Sequence, residues 1–310
     1  MWPNGAGRAI TRCNATNYIG KAFVLHHISK NAQSPKIRQI DFGNNMFLMF
    51  PFKYQYPALS WAHGKHPADG VRDMTDAKTK FEIRPFETLG AANHGWLDAH
   101  HHFSFGNYHD AARMSWGAIR VWNDDMIAPQ SGFPPHPHAD MEIITYVRTG
   151  AITHKDSLGN EGRTAAGDVQ VMSAGSGIRH AEYNLENETT TLFQIWIMPN
   201  RTGGEPSWGA KPFPKNDRSG TWKILASGFD EDNDALPIRT DARVLGATIK
   251  AGDSLKYAVG ANRHAYMVPA SGAVEIDGQH AHARDGVAIG EGTITITAIE
   301  DAEIVLVDSR

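Results

Sequence analysis

Two pairs of side chains in this sequence have the residue types and the spacing of a metal site. His136 and His138 stand two residues apart in GFPPHPHADME, and His180 and Glu182 have the same spacing in SGIRHAEYN, about forty residues later. On an extended strand, residues i and i+2 point to the same face, so each pair can converge on one point. Two such pairs on neighbouring strands would form a cup of three imidazole nitrogens and one carboxylate oxygen. That donor set suits a divalent first-row metal and leaves coordination positions for a substrate.

From Phe81 onward the sequence predicts strands and turns almost throughout. Runs such as EIITYVRTG, TLFQIWIMP and GTITITAIED alternate apolar and β-branched residues, and Gly, Asn or Asp interrupts them at short intervals. This pattern is typical of antiparallel sandwiches and barrels. The segment PNRTGGEPSW, residues 199–208, has the composition of a linker. We therefore predict an all-β protein with two consecutive antiparallel, jelly-roll-like barrels, at residues 76–198 and 209–310.

Composition and charge exclude several other classes of protein. The 310 residues include 30 Lys and Arg against 34 Asp and Glu, a net charge of −4. The sequence therefore lacks the excess of basic residues that would indicate nucleic acid or an acidic membrane as a partner. The single cysteine, Cys13, excludes an internal disulfide framework and a Cys-based zinc site. The apolar runs are far shorter than the ~20 residues of a spanning helix, and the first residues lack the apolar segment of a secretory signal. We expect a cytoplasmic protein.

Residues 1–73 differ in composition from the rest of the chain. They hold 9 Lys and Arg against 3 Asp and Glu, a charge of +6, which leaves −10 for the remainder. They show no sustained strand or helix periodicity, so we expect an extension of little regular structure. An organellar transit peptide and a small extra domain are two interpretations of this segment. We favour a third, in which it is upstream sequence outside the native fold and Met74 is the natural start.

The two ligand pairs also carry a family resemblance. HxHxxxE at His136, His138 and Glu142 resembles the first cupin motif, and residues 167–184 resemble the second, with Ser173 where cupins usually have Pro. The segments GFPPHPHADMEIITYVRTG and MSAGSGIRHAEYN closely resemble the pirin family. NHGWLDAHHHFSFGNYHD and LFQIWIMP resemble its bacterial two-cupin members, often described as quercetin 2,3-dioxygenases. The resemblance extends from about residue 80 to residue 310.

The resemblance implies which residues bind the metal. In the pirin family the ligands are the two histidines of the first motif and the His and Glu of HAE, which here are His136, His138, His180 and Glu182. Glu142, the usual cupin ligand position, is not a ligand in such proteins, and we expect its carboxylate to pair with a nearby base. The resemblance implies one divalent transition metal. We expect Fe(II), with Zn, Mn, Co, Ni or Cu as alternatives.

The resemblance also implies a reaction, in which a flavonol such as quercetin is opened by O₂ and carbon monoxide is released. Glu182 is the only ionisable oxygen among the four ligands, so we predict that it takes the proton of the substrate 3-hydroxyl. We expect Phe133, Met172 and Phe193 to hold the flat polyphenol inside a monomeric protein. One alternative is a non-enzymatic metal-dependent regulator or redox sensor, as eukaryotic pirin is usually described. Another is a dioxygenase for a different enolisable substrate.

Two further histidine clusters are weaker candidates for a metal site. The run His100 to His102 is not accompanied by a carboxylate at metal-ligand spacing. We consider two alternatives for it, namely lining or hydrogen bonding near the pocket, or no functional role. His280 and His282 again form HxH, but no second ligand pair follows, and EIDGQHAHARDG predicts an exposed hairpin turn. We therefore expect no metal there and predict that the second barrel is a degenerate cupin.

Overall fold

The computed structural model describes residues 79–310, and these residues form strands almost throughout. The only helices among them are three short 3₁₀ segments, at Phe86–Thr88, Ala111–Arg113 and Lys215–Arg218. No helix in this range is long and apolar enough to span a membrane. The predicted all-β class is confirmed for the described residues, whereas residues 1–73, Cys13 and Met74 lie outside them.

The first barrel consists of a large and a small antiparallel sheet. The large sheet has seven strands in the order β12-β9-β6-β11-β4-β3-β2, and the small sheet has four in the order β5-β10-β7-β8. The strands are β2 (Gly90–Asn93), β3 (Leu97–His101), β4 (Ile119–Ile127), β5 (Ser131–His138), β6 (Glu142–Thr149), β7 (Ala151–Asp156), β8 (Glu161–Ala165), β9 (Val169–Ser173), β10 (Ile178–Asn184), β11 (Thr190–Ile197) and β12 (Ser207–Lys211).

The second barrel repeats this plan. Its seven-stranded sheet has the order β1-β20-β17-β22-β15-β13-β14, and its four-stranded sheet has the order β16-β21-β18-β19. The strands are β1 (Phe81–Arg84), β13 (Lys223–Ser227), β14 (Leu236–Pro237), β15 (Ala242–Ile249), β16 (Ser254–Val259), β17 (His264–Ser271), β18 (Val274–Ile276), β19 (Gln279–Ala281), β20 (Gly286–Ile289), β21 (Gly292–Ala298) and β22 (Ala302–Ser309).

Each barrel receives one edge strand from the other part of the chain. β1 precedes the first barrel in sequence but pairs with β20 of the second barrel, from Phe81 opposite Ile289 to Arg84 opposite Gly286. β12 precedes the second barrel's own strands but pairs with β9 of the first. The domain boundaries at residues 198 and 209 stay a prediction. This exchange of edge strands between the barrels was not predicted from the sequence.

The two large sheets pack against each other through one shared apolar core. One apolar cluster combines buried residues of both, such as Tyr146 and Phe193 of the first barrel with Val268 and Val305 of the second. Because side chains alternate along a strand, the other face of each large sheet lines the interior of its own barrel. The interior of the second barrel is filled by apolar side chains. The interior of the first barrel contains two smaller apolar clusters, and the predicted ligands lie in this barrel.

Candidate metal centre

The three histidines of the predicted set lie on two paired strands of the small sheet. β5 and β10 run antiparallel, with His180 opposite His136 and Ile178 opposite His138. The period of two along each strand places all three imidazoles on one face of the sheet. A register shift, a β-bulge, separates His180 from Glu182, and bulges of this kind re-aim the side chains beside them.

The imidazole rings of His136, His138 and His180 form a nearly equilateral triangle. Their centroids are 4.8 Å apart for His136 and His138, 4.5 Å for His136 and His180, and 5.0 Å for His138 and His180. One ligand nitrogen from each ring lies within 4.8 Å of the other two. The structure therefore brings together three of the four predicted ligands as a nitrogen-donor group.

The hydrogen bonds of these rings show whether they fit a metal ion. His136 Nδ1 lies 2.8 Å from the carbonyl oxygen of Pro134, so this nitrogen carries the proton and Nε2 keeps a free lone pair. His180 Nε2 is buried and has no hydrogen-bond partner among residues 79–310. A buried ring nitrogen without a partner costs free energy, and coordination would satisfy it. The residues present thus fit a bound divalent metal.

Burial keeps the imidazoles neutral. Burial, together with the neighbouring His136, lowers the pKa of His138 to about 3 and that of His180 to about 2. Burial also lowers the pKa of His136, against the opposing effects of the Pro134 carbonyl and the Glu182 carboxylate. Neutral imidazole is the form that binds metals, so protons do not compete for these nitrogens at neutral pH.

Glu182 is buried and held by three neutral donors from the large sheet. Its Oε1 accepts hydrogen bonds from Gln170 Nε2 at 2.6 Å and Thr145 Oγ1 at 3.2 Å, and its Oε2 accepts one from Gln194 Nε2 at 2.8 Å. One Glu182 carboxylate oxygen lies within 4.8 Å of a ring nitrogen of His154 and one of His180. Glu182 does not belong to the group formed by His136, His138 and His180. The structure therefore places Glu182 beside the triangle, on the His180 side, and its membership of the ligand set stays a prediction.

The three donors to Glu182 belong to a longer polar row across the large sheet. Directly paired residues on five adjacent strands are all polar and all buried, namely Gln170, Thr145, Gln194, Asn123 and His101. At the far end of the row, His101 Nδ1 lies 2.8 Å from Asn123 Oδ1. The row forms a polar layer in the barrel interior at the level of Glu182.

His154 and Asp156 are site residues that the sequence interpretation missed. They lie on β7, the other neighbour of β10, where Asp156 is opposite His180 and His154 is opposite Glu182. Their spacing in AITHKDS is the same i, i+2 spacing that identified the other pairs. The signal was therefore present, but only the order of strands in the sheet shows that β7 borders β10.

The three residues predicted to hold a polyphenol lie in different places. The Phe133 ring is 6.2 Å from that of His136, and Met172 packs in an apolar cluster of the first barrel. The prediction is wrong for Phe193, which is fully buried in the core between the barrels, with its ring 5.5 Å from that of Trp122. On the opposite face of the same strand, the Trp196 ring lies 4.9 Å from that of His138.

Glu142 is buried but belongs to neither group of potential metal ligands found in the described range. Its Oε2 accepts a hydrogen bond from Ser173 Oγ at 2.5 Å, and Arg239 is the nearby base, which interacts with the carboxylate through its backbone N–H and its charge. Ser173 is the residue that replaces the usual cupin proline. Burial raises the pKa of Glu142, and the Ser173 hydrogen bond and Arg239 oppose that rise.

The other two histidine clusters lie in different surroundings, one largely buried and one exposed. His101 and His102 are buried, and His102 Nδ1 bonds to the Tyr266 hydroxyl at 3.0 Å across the two barrels. His280 and His282 are exposed, as predicted, and His280 lies 3.6 Å from Glu275. None of these belongs to a group of potential ligands within residues 79–310.

Comparison with known proteins identifies the family. The model described as Pirin matches residues 82–197, and the model described as quercetinase C-terminal cupin domain matches residues 224–309. A pirin-like protein of Caulobacter vibrioides is 70% identical over 227 residues, which are 73% of this chain and 98% of that protein. The chain belongs to the pirin family.

Other members of the pirin family have a named activity or a bound metal. The quercetin 2,3-dioxygenase of Escherichia coli is 40% identical over 228 residues, covering 73% of this chain and 97% of that protein. The crystal structure of the bacterial pirin YhhW from Escherichia coli in complex with nickel(II) matches with a TM-score of 0.70 at 38% identity, covering 74% of this chain and 99% of that one. The predicted two-cupin pirin fold is thus confirmed.

Proposed function

We propose that His136, His138, His180 and Glu182 hold one divalent transition metal in the first barrel. The observation that carries this proposal is the triangle of three neutral imidazoles, of which His180 is buried and His136 and His138 are partly buried, with His180 Nε2 lacking a partner in the described structure. A pirin of Escherichia coli has been crystallised with nickel(II), which supports a divalent ion. Fe(II) is the expected metal, with Zn, Mn, Co, Ni and Cu as alternatives.

The proposed reaction is the cleavage of a flavonol such as quercetin by O₂, with release of carbon monoxide and a depside. Relatives of this chain at 40% identity are named quercetin 2,3-dioxygenase, which supports this class of oxidoreductase. When bound, the metal would lower the pKa of a coordinated hydroxyl and hold both reactants in one coordination sphere.

Glu182 is proposed as the base that takes the proton of the 3-hydroxyl. An ionised carboxylate has about four lone-pair sites, and three of those on Glu182 accept hydrogen bonds from Thr145, Gln170 and Gln194. The site that remains is on Oε2, so one lone pair is free to bind the metal or to receive the substrate proton. The two amide donors are oriented by their own oxygens, since Gln170 Oε1 accepts from Thr164 at 3.0 Å and Gln194 Oε1 from Trp196 at 3.4 Å. The donors therefore keep the carboxylate in place during proton transfer.

Aromatic side chains near the triangle are suited to hold a flat substrate. Phe133 and Trp196 contact His136 and His138 respectively, and both are only partly buried. Such rings provide apolar faces for stacking beside the polar layer. We propose that they, with Met172, line the flavonol pocket.

The decisive experiment compares Glu182→Gln with Glu142→Gln, a matched loss of a buried carboxyl in the same barrel. In Glu182→Gln, the three imidazoles should retain metal, whereas carbon monoxide release from quercetin should fall about 10²-fold to 10⁴-fold, the usual cost of a lost general base. Glu142→Gln should keep both. His136→Ala and His180→Ala should bind well below one metal per chain.

Two outcomes would overturn the proposal. Full retention of metal by His136→Ala and His180→Ala would remove the assigned site. Absence of carbon monoxide release by wild-type protein loaded with Fe, Mn, Co, Ni or Cu, in air, would reject the flavonol dioxygenase. Metal binding without that activity would favour a regulator or a dioxygenase for another enolisable substrate, and an aerobic against anaerobic comparison of candidate substrates separates these two.

A further inference from the structure

A chain of buried hydrogen bonds runs from Asp156 through His154 to His180. His154 Nε2 lies 3.1 Å from Asp156 Oδ2, and His154 Nδ1 lies 3.4 Å from His180 Nδ1. The side chains of His154 and Asp156 have no solvent exposure. These two hydrogen bonds therefore connect His180 Nδ1, through His154, to the Asp156 carboxylate, which is not part of the histidine triangle.

The protons in this chain can be assigned from Asp156 outward. Asp156 accepts from the backbone amides of Leu158 and Asn160 at Oδ1 and from the Asn160 side chain at Oδ2, and its Oδ2 also lies 3.1 Å from His154 Nε2. A carboxyl group that accepts three N–H hydrogen bonds is held in its ionised form, so the proton shared with His154 is on His154 Nε2. His154 Nδ1 then has a lone pair, and the proton between the two Nδ1 atoms is on His180. His180 Nε2 is left unprotonated, which is the form that a metal requires.

The His154 ring is also fixed by packing. The Trp208 ring lies parallel to it, with centroids 4.7 Å apart and an interplanar angle of 8°. Trp208 belongs to β12, the strand that enters the first barrel from the segment between the two cupin regions. Gly162 leaves room for this indole, because a Cβ at residue 162 would overlap Trp208 Cη2. The stacking restricts the plane in which His154 can offer its Nδ1 lone pair.

We propose that Asp156 and His154 are positioning residues that fix the tautomer and the ring orientation of His180, so that its Nε2 faces the metal. The metal-binding part of this inference rests on the proposed function, whereas the assignment of the protons does not. A competing arrangement exists, because His154, His180 and Glu182 also form a group of potential ligands. In that arrangement His154 would bind the metal directly and the hydrogen bond between the two histidines would not form.

The variant Asp156→Asn tests which atom donates in each of the hydrogen bonds between Asp156, His154 and His180. Its amide oxygen should remain at the Oδ1 position, where two backbone amides donate, which places its NH₂ group against His154 Nε2. His154 would then be protonated on Nδ1 and His180 on Nε2, the wrong nitrogen for a metal. His154→Phe removes the acceptor instead and keeps an aromatic ring against Trp208. Lys155→Gln is the matched control, since Lys155 is on the same strand with its side chain half exposed.

The first measurement is ¹⁵N NMR of the imidazoles in the metal-free full-length protein, which reports the protonated nitrogen of each ring. We expect Nδ1–H for His180 in the wild type and in Lys155→Gln, and Nε2–H in Asp156→Asn. His180 protonated on Nε2 in the wild type would overturn the inference, whatever the metal or the activity of the protein.

The second measurement is the affinity for Ni(II) alone, with nitrogen ligands counted by Cu(II) EPR. Asp156→Asn and His154→Phe should bind Ni(II) about 10- to 100-fold more weakly, the usual cost of losing a partner of a metal-bound histidine, with three nitrogens still coordinated in His154→Phe. Loss of one nitrogen in His154→Phe would make His154 a ligand and overturn the positioning role. If NMR shows the expected tautomers but Asp156→Asn and His154→Phe bind Ni(II) as tightly as the wild type, then His180 Nε2 is not a ligand. The proposed ligand set would be rejected, and the proton assignment would stand.

Discussion

Acidification offers a quantitative test of the burial of the histidine triangle. An imidazole in water has a pKa of about 6.5 and is about 97% protonated at pH 5, so each such ligand would weaken apparent metal binding about 30-fold there. Two of them would cost about 10³-fold between pH 7.5 and pH 5. In this structure burial lowers the pKa of His138 to about 3 and that of His180 to about 2. We therefore expect these two ligands to weaken binding by less than about 2-fold over the same range.

The same shift has the opposite consequence for the stability of the metal-free protein. Because the pKa of His180 is lower in the folded than in the unfolded state, the unfolded chain takes up a proton below about pH 6.5 that the folded chain refuses until about pH 2. Stability is thus fully present above about pH 6.5 and falls as the pH decreases. At pH 5 the loss from His180 is about 2 kcal/mol, from 1.5 pH units at about 1.36 kcal/mol each, or about 4–8 °C in Tm.

Both consequences are measured on the same protein. Ni(II) titrations from pH 7.5 to pH 5 give the affinity, with a hexahistidine peptide as the solvent-exposed control. Thermal unfolding of metal-free wild type and His180→Gln over the same pH range gives the stability, and the difference between their pH slopes isolates His180 from the carboxylates. A fall in Ni(II) affinity as steep as that of the peptide would refute the lowered pKa values of His138 and His180, and identical pH slopes for the two proteins would refute that of His180.

Three further predictions separate the metal site from its surroundings. Phe193→Ala should destabilise the protein by about 3–5 kcal/mol, as measured by denaturant unfolding, with unchanged bound metal per chain, because Phe193 packs between the barrels. Gly162→Ala should cost about 1–3 kcal/mol and displace Trp208, which near-ultraviolet circular dichroism would detect; an unchanged spectrum would contradict the close contact. His280→Ala combined with His282→Ala should leave the metal content unchanged, since both residues are exposed and outside the ligand groups of the described chain; loss of metal there would show that the site is misassigned.

The convergence of the triangle could be predicted from the sequence because it depends on a local rule. HxH places His136 and His138 on one strand face, and a His that begins a comparable pair joins them if the two strands are neighbours. The position of His154 could not be predicted in this way, although HKD has the same spacing. Whether β7 borders β10 depends on the order of strands in the sheet, which is set by long-range packing and not by the periodicity of either strand.

The wrong prediction for Phe193 has a different physical reason. Strand β11 reads TTLFQIWI and is apolar on both faces, because the large sheet is covered by its own barrel on one side and by the second barrel on the other. Alternation cannot identify the inward face of such a strand. The distinguishing residue is Gln194, whose amide reaches Glu182 and so fixes which side chains face the barrel interior. The exchange of β1 and β12 was missed because the sequence of an edge strand does not name its partner.

The polar row distinguishes the first barrel, where we propose the metal site, from the second. A row of five buried polar side chains is costly unless its members are paired, and an apolar layer of similar volume would give at least equal stability. The second barrel is filled by an apolar cluster instead. In the first barrel, three members of the row donate to Glu182, so the cost of burying the carboxylate is offset by Thr145, Gln170 and Gln194. The row also separates the two apolar clusters of the barrel, so the buried carboxylate and its donors form one polar layer between two apolar ones.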